Sequence, residues 1–258
     1  MTPMAYTPYD WHLSLQQRTE YIEERLRGGS PVVGTSLAAG ILLLTIHQTQ
    51  RKIFEIYDRL MFAGIGSQSD LETTRIAAID FAHREGFLRS PHDVTAQRLV
   101  GSVLGPALKR AFADPFAAPF VFRGLFAELG ETPAEDQFFV LNYDGEFRRL
   151  QRVAAIGGSD EAEREMLAAL RSSSGDDLGT ALRRGLEAWA VGQLLARGSG
   201  DEAQPPGPGQ IRATIEEALA DGTFEAGLLE RTTRRSQRFR LLAPAEFEPA
   251  LAEYRSRG

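Results

Sequence analysis

The sequence predicts an α+β protein, a four-layer αββα sandwich with one more helix standing outside it at the N-terminal end. Three observations lead there. Short β-type runs come in pairs joined by tight turns, which implies antiparallel hairpins. The longest apolar run, Ile41 to Ile46, is six residues. It is far too short to cross a bilayer and suits a strand buried on both faces. The elements run as strands, two helices, strands, two helices, strands, so each of two sheets can take a helix pair on its outer face.

Met1 to Asp10 holds two prolines and no periodicity, and is predicted to be a flexible tail. Residues 11–258 then form one domain. Trp11 to Arg27 is a helix whose Trp11, Leu15, Ile22 and Leu26 lie on one stripe, and Gly28-Gly29 ends it. An apolar stripe outside the strands needs cover, from the chain's own sheet or from a neighbour. Val32 to Ser36 and Ile41 to Ile46 form a first hairpin, Lys52 to Ile56 and Leu60 to Gly64 a second. Ser69 to Glu85 is a helix apolar nearly all round, expected to be covered on more than one side. Asp93 offers an N-cap for a helix from Val94 to Phe112, which Gly105-Pro106 should kink.

Strands are predicted at Phe120 to Leu129, Phe138 to Tyr143 and Phe147 to Val153, the last two joined at Asp144-Gly145. Ala154 to Gly158 leads into a helix from Asp160 to Leu170, and another spans Asp177 to Leu195. Ala196 to Gln210 reads as a mobile, low-complexity loop and Ile211 to Ala220 as a short inserted helix, so 196–220 stands apart from the sandwich. Phe224 to Arg231 and Arg238 to Leu242 close the sheet, and Pro244 to Tyr254 is a terminal helix.

Composition narrows the chemistry. A chain of 258 residues with 43% hydrophobic and 25% charged residues can bury a full core without staples. It has no cysteine, which excludes disulfides and thiolate metal sites. His12, His47, His83 and His92 are scattered with no HExxH pair, so no metal site is expected. A net charge of −6 gives no general attraction to nucleic acid. The basic cluster Arg231, Arg234, Arg235, Arg238 and Arg240 reads as a solvated strand edge. Met1 to Asp10 lacks the basic start and apolar core of a signal peptide, so the expectation is a soluble, cytoplasmic protein with no membrane partner. No GxGxxG, GxxxxGK[ST], GxSxG or DxDxDG pattern occurs, and no cofactor is expected.

One catalytic constellation has some of its parts. An N-terminal nucleophile needs Ser, Thr or Cys freed by self-cleavage, its own amine as base, a tuning Lys, and a carboxylate to orient that Lys. Gly29-Ser30 opens the first strand and Lys52 starts a later one, so Ser30 is the candidate nucleophile with Lys52 beside it. Thr45-Ile46-His47-Gln48 supplies no acid where the second strand should, and cleavage would discard the regular Trp11 to Arg27 helix.

Several segments carry a family resemblance. GGSPVVGTSLAAGILLLTIH, RKIFEIYDRLMFAGIG, IDFAHREGF and HDVTAQRLV, with Glu20-Tyr21 ahead of them, resemble in order and spacing the α-type subunits of bacterial proteasomes. The likeness runs from about Tyr9 to Leu195 and more loosely beyond. The short Gln48 to Arg51 link favours the α type over the catalytic β type. Pro205 to Ala220 looks longer than is usual in the family, and Pro31 sits where a strand former is commoner.

The resemblance implies a non-catalytic subunit with the N-terminal-nucleophile-hydrolase fold. It implies a ring of seven copies, capping rings of catalytic β-type subunits and receiving a ring-shaped ATPase or other activator. Unfolded proteins would pass through. Trp11, Leu15, Ile22 and Leu26 would face the ring neighbour. The tail with Tyr6, Pro8, Tyr9 and Asp10 would form a gate. Lys52 and Gly66 would receive an activator's C-terminal carboxylate; otherwise Lys52 is a surface lysine paired with Glu55 or Asp58. The alternative function is a self-sufficient hydrolase using Ser30 after Gly29-Ser30 cleavage.

Overall fold

The apolar run is the middle of strand β2 (Gly40–His47). Its period of two sends Leu42, Leu44 and Ile46 to one face and Ile41 and Leu43 to the other, and both faces are buried. The computed structural model describes residues 8–171, 177–197, 206–233, 235 and 237–255, with backbone alone for 8–10 and 197. β2 pairs antiparallel with β1 (Val32–Leu37) and with β9 (Thr223–Glu230). β8 (Val153–Ile156) and β10 (Phe239–Leu241) complete a first sheet in the order β10-β9-β2-β1-β8. The second sheet runs β3 (Ile53–Tyr57), β4 (Leu60–Gly66), β5 (Phe122–Glu128), β6 (Gln137–Asn142) and β7 (Phe147–Leu150).

Ile41, Leu43 and Leu229 meet Met61, Leu125, Phe138 and Val140 between the sheets. Outside the first sheet lie α5 (Asp160–Leu170), α6 (Leu178–Arg197), α7 (Pro208–Asp221) and α8 (Pro244–Leu251). Met166, Leu186, Ile215 and Leu251 press them onto Leu42 and Leu44. Outside the second lie α2 (Gln68–Leu88) and a rod made of α3 (Ala96–Arg98), a π-helical turn (Leu99–Leu104) and α4 (Gly105–Ala113), packed on Phe62, Phe126 and Phe139. These are the four layers the element order predicts. α1 (Pro8–Arg27) is the additional helix.

Several local expectations need correction. The predicted strand Phe147 to Val153 is two strands in different sheets. The chain turns at Arg152, left-handed at φ 69°, whose carbonyl accepts from Ser36 N at 2.8 Å. Ala154 to Gly158, read as a lead-in, is mostly the strand β8. The rod is capped by Thr95, which accepts from Arg98 N at 3.3 Å; Asp93 belongs to a separate 3₁₀ turn. Gly105-Pro106 falls where the π turn gives way to α4, so the missing N–H of Pro106 lies in the first turn of that segment. The predicted helix Ser69 to Glu85 is buried only along Leu71, Thr74, Ala78 and Ala82; Ile76, Phe87 and Leu88 are exposed, because a single sheet face lies beneath it. α7 is longer than predicted, starting at Pro208, where a missing N–H costs nothing. Of the predicted mobile loop, residues 198–205 lie outside the described residues.

Two buried ion clusters tie the layers. Arg123 of β5 donates to Glu163 of α5 at 3.0 Å, and Arg148 also pairs with Glu163. At the opposite rim Arg231 donates both terminal nitrogens to Asp136, at 2.7 and 3.0 Å. Arg231 is therefore no solvated edge residue, and Arg235, Arg238 and Arg240 are ion-paired with Glu230, Asp58 and Glu246. Among the described residues no helix is long and apolar enough to cross a membrane.

Candidate functional site

A cleft of about 540 Å³ opens where α1 ends, β2 ends, β4 ends and α6 and α7 pass. Lys52 and Gly66, fourteen residues apart in sequence, both line it, as does Ser30. Antiparallel geometry explains this: β3 starts beside the end of β4, and the first sheet delivers the start of β1 to the same rim.

Lys52 is half-buried. Its Nζ donates to the Ser30 carbonyl at 3.0 Å, and its backbone N–H donates to Glu225 Oε2 at 2.8 Å. Burial pushes the ammonium down to about 8, while the Glu225 carboxylate works to raise it. A surface ion pair with Glu55 or Asp58 is not what holds Lys52, because its side chain turns inward toward the chain crossing from α1 to β1.

Glu225, a buried carboxylate of β9, was not legible as a site residue. The acid absent from Thr45 to Gln48 arrives instead from the paired strand, where Glu225 sits opposite Thr45. The one available signal was a glutamate between Phe224 and Ala226 in an otherwise apolar run. Trp189 was missed as well; its Nε1 donates to Ser30 Oγ at 3.0 Å.

The nucleophile arrangement is not assembled. Ser30 Oγ donates to Ile46 O at 2.5 Å and accepts from Trp189, and Lys52 reaches the Ser30 carbonyl rather than its hydroxyl. Ser30 is thus a fastening between β1, β2 and α6. Gly66 has φ 131°, and a Cβ there would stand 2.0 Å from Val121 O, so the sheet itself requires glycine.

The α1 stripe divides. Ile22 and Leu26 are fully buried in the chain's own core and leave nothing for a neighbour, which corrects their assignment to a ring interface. Trp11, Leu13 and Tyr21 are exposed and Leu15 is half-buried. Arg18 fastens the helix by donating to Asp114 O and Ala117 O at 2.7 and 2.6 Å, so only the later turns lie on the sandwich. Of the gate residues, Tyr6 lies outside the described residues, while Pro8, Tyr9 and Asp10 form the first turn of α1 rather than a free tail.

Among the described residues no group of three or more acidic or histidine side chains is placed to hold a metal ion. No family model matches the chain. It is similar to curated proteins named proteasome subunit alpha. One from Frankia casuarinae is 30% identical over 235 residues, 90% of each chain. One from a Parafrankia species is 30% identical over 93% of this chain and 92% of the relative. One from Actinosynnema mirum is 31% identical over 84% and 76%. A helix outside two stacked five-stranded sheets, a serine locked by a tryptophan rather than freed for attack, and identity along nearly the whole length lead to one conclusion: the chain belongs to the proteasome α-subunit family, the non-catalytic subunits of the proteasome core.

Proposed function

We propose that this chain builds the outer ring of a cytoplasmic proteasome core, in seven copies, above rings of catalytic β subunits. It admits unfolded protein through a gate formed by the residues ahead of α1, and docks the C-terminal carboxylates of a ring-shaped activator. The observation that supports docking most directly is the meeting of Lys52 and Gly66 in one cleft. A half-buried ammonium gives a carboxylate a charge-assisted hydrogen bond of roughly 1.5–3 kcal/mol.

The test joins gate and cleft. Deleting residues 1–7 in the assembled α–β core is expected to raise degradation of unfolded protein and to gain less for dipeptide-sized probes. Adding Lys52→Ala to the deletion should change nothing further, because an absent gate needs no activator. Equal rates for intact and truncated cores would remove the gate from this account.

Ring formation has a separate test. The exposed side chains Leu13 and Tyr21 are the contacts to change, since Ile22 and Leu26 serve the subunit's own core. Leu13→Asp with Tyr21→Asp is expected to disperse rings into folded monomers. Each buried aliphatic or aromatic contact is worth roughly 1.5–3 kcal/mol, and the loss repeats at every junction of a closed ring. Rings that sediment unchanged would exclude this face of α1 as the junction.

A further inference from the structure

Glu225 has more partners than a structural carboxylate at a strand end requires. It is 5% exposed. Its Oε2 accepts from Lys52 N at 2.8 Å and lies 3.6 Å from His47 Nε2. Its Oε1 accepts from Ile53 N at 3.3 Å and Arg51 Nε at 3.4 Å. His47 is the last residue of β2 and Ile53 the first of β3. The polar link between them is therefore wrapped around one carboxylate supplied by a third strand. We propose that Glu225 is the positioning residue of the cleft: clamped where β2 ends and β3 begins, it holds Lys52 at the cleft floor as a cation able to receive an anionic chain terminus. This rests on the docking reading of Lys52.

Charge supports the geometry. A buried carboxylate is tolerated only when its field is matched, and backbone N–H groups with one guanidinium do most of that here. What remains falls on Lys52, whose ammonium burial drives down and Glu225 holds up, at about 8. The other charged or titratable groups lining the cleft are His47 on β2, Arg27 at the end of α1, and Glu217 and Asp221 on α7; Arg51 stands in the link itself. The Glu225 carboxylate raises the Lys52 ammonium against its burial. The residue type matters as well. Of the 29 Lys and Arg residues only Lys52 and Lys109 are lysines. The chain uses arginine, which keeps its charge, nearly everywhere else, and places at the cleft floor a cation whose charge depends on its surroundings.

Glu225→Gln tests this, since the amide oxygen can still accept from one of the two backbone N–H groups while the charge is gone. In the assembled α–β core, binding of a short peptide with a free C-terminal carboxylate is followed by fluorescence polarisation across pH, beside the same peptide amidated. Wild-type affinity for the carboxylate form is expected to be level near neutrality and to fall above about pH 8. In Glu225→Gln the fall should begin at least about one pH unit lower, giving roughly fivefold weaker binding at pH 8, approaching tenfold above it, and near-equal binding at the acid end of the range. A variant profile that overlays the wild type, or one weakened by the same factor at every pH, overturns the proposal. A wild-type core that does not distinguish carboxylate from amide sinks the docking reading instead.

A second measurement then still decides Glu225: competitive acylation of Lys52 in the wild-type protein, with the exposed Lys109 as internal reference. A Lys52 midpoint near 8 supports the inference. In Glu225→Gln it should drop further. A wild-type Lys52 midpoint at the ordinary lysine value of 10.5, or no drop in the variant, overturns it.

Discussion

Asp136→Ala is expected to destabilise the isolated chain by about 3–5 kcal/mol, the largest single effect foreseen away from the cleft. Asp136 is fully buried and accepts from both terminal nitrogens of Arg231, from Ser36 Oγ and from Gly130 N. Ser36 lies in the first sheet, Arg231 just past β9 of the same sheet, and Asp136 just before β6 of the second, so this cluster closes the rim opposite the cleft. Removing the carboxylate strands a guanidinium that is 12% exposed and orphans a backbone N–H. A chain of ordinary stability has only about 5–15 kcal/mol in all, so much of the margin would go. Replacing both partners, Asp136→Leu with Arg231→Met, should cost distinctly less, because no unpaired charge is left behind. Urea unfolding followed by circular dichroism checks both. A single-variant loss below about 1 kcal/mol would mean that water reaches the pair freely.

Lys52→Met is expected to separate stability from function. The lysine's ordinary value is 10.5 and its folded value about 8. Below about 8 both folded and unfolded chains carry the proton, and the full cost of burying the charge is present. Between about 8 and 10.5 the unfolded chain binds more protons than the folded one, so wild-type stability from this group rises with pH across that window. The shift corresponds to roughly 3 kcal/mol at most, and partial exposure of the side chain reduces it. A methionine of similar length pays none of it. The variant should therefore be about 1–3 kcal/mol more stable than wild type at pH 7, with the gain shrinking toward pH 10. It should also lose activator-stimulated degradation while rings still form. A variant less stable than wild type at pH 7 would show that the lysine contributes more through Ser30 than its burial costs. Full stimulation in the variant would reduce Lys52 to a packing residue.

Both cases show where a linear reading stops. That a strand starts next to Lys52 and that Asp144-Gly145 turns a hairpin follow from neighbours a few residues away, and Gly145 has the positive φ of 85° the turn needs. That Lys52 and Gly66 would share a pocket was implied by the family resemblance of the hairpin that carries them and not by their residue types. Glu225 was invisible because its partners lie some 172 to 174 residues back, and nothing local distinguishes a clamp from a misplaced surface acid. Arg231 looked like one of several edge arginines because its partner Asp136 is 95 residues distant.

The division for this protein follows the range of the forces. The sequence by itself determined most of the order of helices and strands and the two-faced burial of β2, since periodicity and turn chemistry act within a few residues, while the resemblance of whole segments pointed to the family. Only the tertiary structure decided which half of the α1 stripe is core, that Ser30 is tied to Trp189 and Ile46 rather than free, and which carboxylate faces Lys52. Those outcomes depend on what lies across a layer boundary. An apolar stripe does not say whether its own sheet or another chain will cover it, and a charge buried in a strand does not say which distant backbone will satisfy it.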